Sequence, residues 1–181
     1  TTAKYCRGDS GFLLEHGIDW LQENLPTLPR PFCGYFHFYP PHAPYNTHRD
    51  FHGRFAKDAW KPVDKPLDIF ENREGNSLLD LRRQYDEFLL YVDREIGRLL
   101  DFLQASGLAD DTWVILTTDH GEMFERGIRG HLTPVLFKPI IHIPLVIFEP
   151  GRKNRADIDT PTSAVDVLPT LLHLTGFPSA D

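Results

Sequence analysis

The chain has 181 residues, 41% of them apolar, and a formal charge of −7. That length suffices for one domain with a real core, and the acidic balance argues against a nucleic-acid-binding face, which needs surplus Lys and Arg to neutralise phosphates. No apolar run approaches the roughly 18 residues of a membrane span, and the opening Thr1-Thr2-Ala3-Lys4-Tyr5-Cys6-Arg7 has no apolar stretch of the signal-peptide kind.

In chain order, Phe12 to Leu25 carries apolar residues at 13, 14, 18, 21 and 25, a helical spacing that stops near Pro26. Three prolines among residues 26–31 then make a connector. Phe32 to Tyr39 is aromatic and apolar with little alternation, which predicts a buried strand. It runs into Pro40-Pro41-His42-Ala43-Pro44-Tyr45, where the prolines fix φ and remove backbone donors, so His42 is expected on a stiff loop. By itself, a histidine in such a turn serves equally well as a surface residue. Residues 46–76 are polar, irregular and mixed in charge. A segment of that length is usually functional or mobile, either a cover over a substrate or a solvated insertion.

The clearest helix is predicted over 77–105, with apolar residues at 81, 85, 88, 89, 92, 96, 99, 100 and 103. Arg82, Arg83, Glu87, Arg94 and Arg98 are assigned to its other face, Asp93 to solvent beside the stripe, and Gly107 to its C-terminal cap. Trp113 to Leu116 predicts a fully buried strand that delivers Asp119 and His120 at its C-terminal end, with Gly121 turning the chain away. That is where open α/β sheets hold ligands, and the pair offers one hard oxygen and one nitrogen to a divalent metal. Asp-His-Gly alone describes an ordinary turn just as well. A charged loop, Glu122 to Gly130, leads to His131, and Leu145 to Phe148 reads as another buried strand closed by Pro150-Gly151. Ser163 and Asp166 fit a helix cap, after which Leu168, Leu171, Leu172 and Leu174 supply an apolar face. The alternation of helices and strands predicts an α/β fold with a mainly parallel sheet. Cys6 and Cys33 sit in unrelated contexts and form neither a disulfide framework nor a zinc pattern.

Six of these stretches, in order and at matching spacing, resemble the sulfatase branch of the alkaline phosphatase superfamily. They are Pro31 through Tyr45; Tyr85 to Leu103 with its Val92-Asp93 pair and Gly97; and Asp111 through Gly121. Gly130-His131, Ile143 to Ile147 with Pro150-Gly151, and Asp166 to Leu172 complete the set. The resemblance implies an alkaline phosphatase-like domain, its mainly parallel sheet sandwiched by helices, of which residues 1–181 form one part. It implies that Asp119 and His120 are metal ligands, although many members carry Asn in the place of His120. It further implies that His42 contacts the sulfate or its leaving-group oxygen, possible work for a general acid. His131 would bind an anionic oxygen of the substrate, with Lys138, the nearest lysine, as a secondary candidate beside the expected place.

The family's chemistry is hydrolysis of sulfate monoesters by a formylglycine nucleophile, assisted by a divalent cation that polarises the sulfuryl oxygens. Calcium is favoured by hard carboxylate ligands, with manganese or zinc as alternatives. Neither Cys6-Arg7-Gly8-Asp9 nor Cys33-Gly34-Tyr35-Phe36 fits the Cys-x-Pro/Ala-x-Arg element that becomes formylglycine, and no early strand ends in Asp-Asp. The chain is therefore expected to be an internal piece supplying the second half of the site, inactive alone, with the rest of its own domain as partner and a sulfated small molecule or glycan as substrate. Two alternatives stand beside this reading: a phosphate or phosphonate ester enzyme of the same superfamily, or a non-catalytic sulfatase-like binding module.

Overall fold

Two helices far apart in sequence form the centre of the core. The computed structural model describes residues 13–63, 65 and 75–178, with 75–77 by backbone alone. In chain order the elements are α1 (Leu14–Asn24), α2 (Gly75–Ala105), β1 (Val114–Thr117), α3 (Lys138–Ile141), β2 (Leu145–Phe148) and α4 (Val167–Leu174). Cys6 and the rest of the opening stretch, and residues 64 and 66–74 of the long irregular segment, lie outside the described residues.

Leu14, Ile18 and Leu21 recur at helical spacing on α1, are buried, and with Leu25 join Phe88, Tyr91 and Leu103 of α2 in one apolar cluster. Tyr91, outside the stripe read from the sequence, is buried because its ring stacks on Phe88 at 5.8 Å and its hydroxyl donates to Glu15 of α1. Glu87, expected on the outer face, is also buried and accepts the Gly53 N–H at 2.6 Å. Glu95 is 1% exposed and takes bonds from Arg94 at 3.0 Å and Arg98 at 2.5 Å, while Arg98 reaches Asp19 of α1 at 2.6 Å. The physical reason is that α2 is packed by α1 and also by the Arg49–Phe51 turn. The cost of burying carboxylates here is offset only by the hydrogen bonds and ion pairs they make. Phe51 enters the main cluster, so this part of the long segment is anchored and not simply solvated. Gly107, at φ +75°, caps α2 in the left-handed conformation as expected.

Among the described residues the sheet has two strands, and they are antiparallel: Val114 faces Phe148 and Thr117 faces Leu145. The pair does not realise the parallel arrangement expected from the alternation of elements. A parallel neighbour needs a long crossover, usually helical, and the connection between β1 and β2 holds only the four-residue α3. Phe32 to Tyr39, expected as a buried strand, forms no regular element and joins no ladder, and Tyr35 is 85% exposed. β1 is only half-buried where full burial was expected. Val146, Ile147 and Phe148 of β2 are exposed, and α4 buries none of its residues, Leu168 being 63% exposed. The Asp166 carboxylate does cap the start of that helical segment, accepting the Ser163 N–H at 2.7 Å. No helix among the described residues is long and apolar enough to cross a membrane.

Candidate active site

The site is built where β1 runs out. Thr117 closes the strand by donating its hydroxyl to the Pro144 carbonyl at 2.8 Å, and the chain then leaves the sheet. Asp119 follows with its side chain 71% exposed, its Oδ1 accepting the His120 N–H at 3.1 Å and the Thr118 hydroxyl at 3.4 Å. Partial burial would raise the Asp119 carboxyl, but hydrogen bonds from its own and the His120 backbone, the nearby His120 ring and the Thr118 hydroxyl hold it below its ordinary value. His120 Nδ1 lies 2.8 Å from the Gly121 carbonyl. A carbonyl only accepts, so Nδ1 carries a proton and Nε2 is the ring nitrogen not engaged by the backbone. That nitrogen is 3.8 Å from Asp119 Oδ2.

Gly121 serves the site through close approach, not through a left-handed backbone. Its N–H donates to the Ile140 carbonyl at 2.7 Å, and a Cβ there would come within 2.1 Å of the Pro139 carbonyl oxygen. Below this contact Met123, Ile128 and Ile140 form a second buried cluster that ties the loop to α3. Gly130, at φ +92°, donates its N–H to the Met123 carbonyl at 2.8 Å, closing the loop on itself.

The closure lays the His131 ring on the His120 ring, with centroids 3.8 Å apart and planes at 29°. His42, on the proline-rich loop, meets His131 edge-on at 5.5 Å, and Tyr39 lies 4.5 Å from His42. Four rings thus run in a row, Tyr39, His42, His131 and His120. The structure brings four of the five sequence-predicted residues together: His42, Asp119, His120 and His131. Lys138 stands apart, exposed at the first position of α3, and no hydrogen bond or ion pair among the described residues ties its ammonium to the row.

Two residues of the site lie within the sequence motifs but gain no role there. The Glu122 side chain is only 6% exposed; its Oε1 lies 3.1 Å from His131 Nδ1, and its Oε2 accepts the Tyr45 hydroxyl at 2.9 Å. Tyr45 is buried against the rings of Tyr85 and Phe124. Burial first, then the bond to Glu122, push its hydroxyl well above the ordinary tyrosine range, and burial with the Glu122 charge pushes Tyr85 up to about 12. Both hydroxyls therefore stay protonated donors. Glu122 could have been suspected only from its place directly after Asp-His-Gly. Elsewhere, His48 pairs with Glu15 at 3.0 Å, His37 with the Tyr35 hydroxyl at 3.2 Å and His52 with the Thr47 carbonyl at 3.2 Å, all outside the row.

As a metal seat, the donor set is suitable and incomplete. Asp119 Oδ2 and His120 Nε2 are an oxygen and an imidazole nitrogen close enough to serve one ion. Among the described residues no group of three or more His, Cys, Asp or Glu side chains is placed to hold a metal ion, so these two alone would leave a coordination shell incomplete.

A family model described as Sulfatase matches residues 2–177. The chain is 31% identical over 176 residues to choline-sulfatase of Rhizobium meliloti, covering 86% of this chain and 34% of that enzyme. It is 24% identical over 194 residues to arylsulfatase K of Danio rerio, covering 92% of this chain and 37% of that protein. With endo-4-O-sulfatase of Bacteroides thetaiotaomicron it shares 30% identity over 163 residues, covering 85% of this chain and 30% of that enzyme. The chain spans about a third of the length of the curated relatives it matches. By a family match over nearly its whole length, the chain belongs to the sulfatase family and to the alkaline phosphatase-like α/β fold class that the family implies.

Proposed function

We propose that residues 1–181 are one part of the catalytic domain of a metal-dependent sulfatase that hydrolyses a sulfate monoester. The observation that carries this reading is the convergence of His42, His131, His120 and Asp119 from two loops far apart in sequence. On this reading Asp119 and His120 hold the divalent ion, and the remaining ligands and the formylglycine nucleophile come from outside the chain. Calcium suits the carboxylate, while the His120 nitrogen keeps manganese and zinc as alternatives. When bound, the ion supplies Lewis-acid polarisation of the sulfuryl oxygens.

The chain's own residues then have distinct tasks. His131 presents an edge beside the ion seat, where a cationic or donating imidazole offsets negative charge on a sulfuryl oxygen. His42, with Nδ1 directed at the Ala43 carbonyl at 2.8 Å, keeps Nε2 for the ester oxygen of the leaving group. Lys138 remains a secondary candidate for the anion. The substrate is a sulfated small molecule or glycan. We further propose that β1 and the Phe32–Tyr39 segment belong to a larger, mainly parallel sheet sandwiched by helices, which would cover the half-buried apolar side chains of β1 and the exposed Tyr35, Phe36 and Tyr39.

The test uses the intact natural protein. Peptide mass spectrometry reads whether a Cys or Ser outside residues 1–181 has become formylglycine, and 4-nitrophenyl sulfate and 4-nitrophenyl phosphate are assayed before and after chelation. Formylglycine with sulfate-ester turnover that chelation abolishes and metal restores is the expected result. Turnover of the phosphate ester alone, with an unmodified Ser or Thr nucleophile, overturns the reading in favour of phosphate-ester chemistry. No turnover and no bound metal would leave a binding module.

A further inference from the structure

We propose that Glu122 is a positioning residue for this reaction, setting the His131 ring directly and the His42 loop through Tyr45. The inference rests on the sulfatase reading above and deepens it. Glu122 is the buried carboxylate of the site, and its two oxygens are divided between two elements. Oε1 is 3.1 Å from His131 Nδ1, and Oε2 accepts from Tyr45, a residue 77 positions away, at 2.9 Å. A carboxylate only accepts, so a proton sits on His131 Nδ1, and Nε2, which needs a proton of its own to donate to an anionic oxygen, is the edge left for the substrate.

The ring has little other freedom. Its face lies on His120 and its rim faces His42, so tilting the ring away from Glu122 would also disturb the stack. The second arm acts on the opposite loop. Tyr45 follows His42 by three residues on the proline-rich turn, and among the described residues its bond to Glu122 is the one side-chain hydrogen bond joining residues 39–46 to residues 118–131. One buried group therefore fixes both the angle of one histidine and the distance of the other. A surface carboxylate that merely paired with His131 would do the first and not the second.

The experiment compares wild type, Glu122→Gln, Tyr45→Phe, His131→Ala and the Glu122→Gln/His131→Ala double variant in the intact protein, using 4-nitrophenyl sulfate and elemental analysis for bound metal. Glu122→Gln keeps the size of the side chain and one acceptor oxygen, so the fold is retained. Loss of an orienting partner behind a site ligand typically costs about 10–100-fold. We expect a fall of that order in kcat with KM little changed and metal content equal to wild type, and a smaller fall of the same kind for Tyr45→Phe, which cuts one arm. In the His131→Ala background Glu122→Gln should cost several-fold less than in wild type, because the group it positions is gone. Additive losses in the double variant, a fall in kcat that follows metal content, or an unchanged kcat in Glu122→Gln each overturn the proposal. Wild-type protein inert toward the sulfate ester overturns the sulfatase reading itself, a result separate from any of these.

Discussion

At the scale of single residues, the proposed metal seat rests on two donor atoms. If Asp119 and His120 hold the ion as proposed, Asp119→Ala or His120→Ala removes one of them, and bound metal measured by elemental analysis should fall well below wild type. Sulfate-ester turnover should drop by more than about 100-fold, since even partners behind metal ligands cost 10–100-fold. Gly121→Ala acts differently. Its Cβ would press on the Pro139 carbonyl oxygen, a backbone atom that cannot swing aside, so the loop or α3 must shift. A loss of about 1–3 kcal/mol is expected from denaturant unfolding, the usual cost of overpacking. His42, Asp119, His120 and His131 were singled out in the sequence through the family resemblance of their turns, and the structure draws the four side chains together. Glu122 and Tyr45 were not singled out, because a carboxylate after a turn reads as a solvated charge and a tyrosine among prolines as surface. Only a contact across 77 positions gives them a task.

At the scale of elements, α1 and α2 are held by apolar packing and by charge placed between them. Arg98→Ala deprives Glu95, which is 1% exposed, of one of its two partners and frees Asp19. Hydrogen bonds to charged groups contribute roughly 1.5–3 kcal/mol, and the half-exposed Arg98 places the expected loss at the lower end. The Glu15 contact gives a pH signature. Partial burial would raise its carboxyl, but the Tyr91 hydroxyl, its own backbone N–H and His48 hold it below the ordinary 4.5. A depressed folded value means stability that is complete above about pH 4.5 and is lost as pH falls through that lower value. The difference in urea midpoint between wild type and Glu15→Gln should therefore be present above about pH 4.5 and shrink toward zero in acid. Both helices were readable from periodicity. What periodicity missed was Tyr91, Glu87 and Glu95, because a hydrophobic stripe marks apolar residues and is silent about polar groups buried in pairs.

At the scale of the whole molecule, apolar surface is unevenly covered. The facing sides of α1 and α2 are sealed, whereas Tyr35, Phe36, Tyr39, Val146 to Phe148 and Leu168 lie open. Where exposed apolar side chains form a patch, they mark a place where something else packs. Residues 13–178 produced as a separate polypeptide should bind an apolar dye and self-associate by light scattering, while the intact protein should do neither. The dye-binding comparison checks the proposal that these residues are part of a larger domain. The same unevenness explains why the sheet was the least legible part of the fold. A strand is defined by its neighbour, so an apolar run such as Phe32 to Tyr39 announces burial without saying against what.

The long reach of the Tyr45–Glu122 bond also has a kinetic side. Closing a loop of 77 residues has a chain-entropy cost that no local interaction offsets beforehand. Docking α1 on α2 shortens the free chain to the stretches between the helix ends and the two site loops, and each halving of an open loop spares about 0.6 kcal/mol. The histidine row should then assemble late, after the helices pair. Folding followed by stopped-flow circular dichroism would show helix signal returning before Tyr45 and Tyr85 are shielded from solvent.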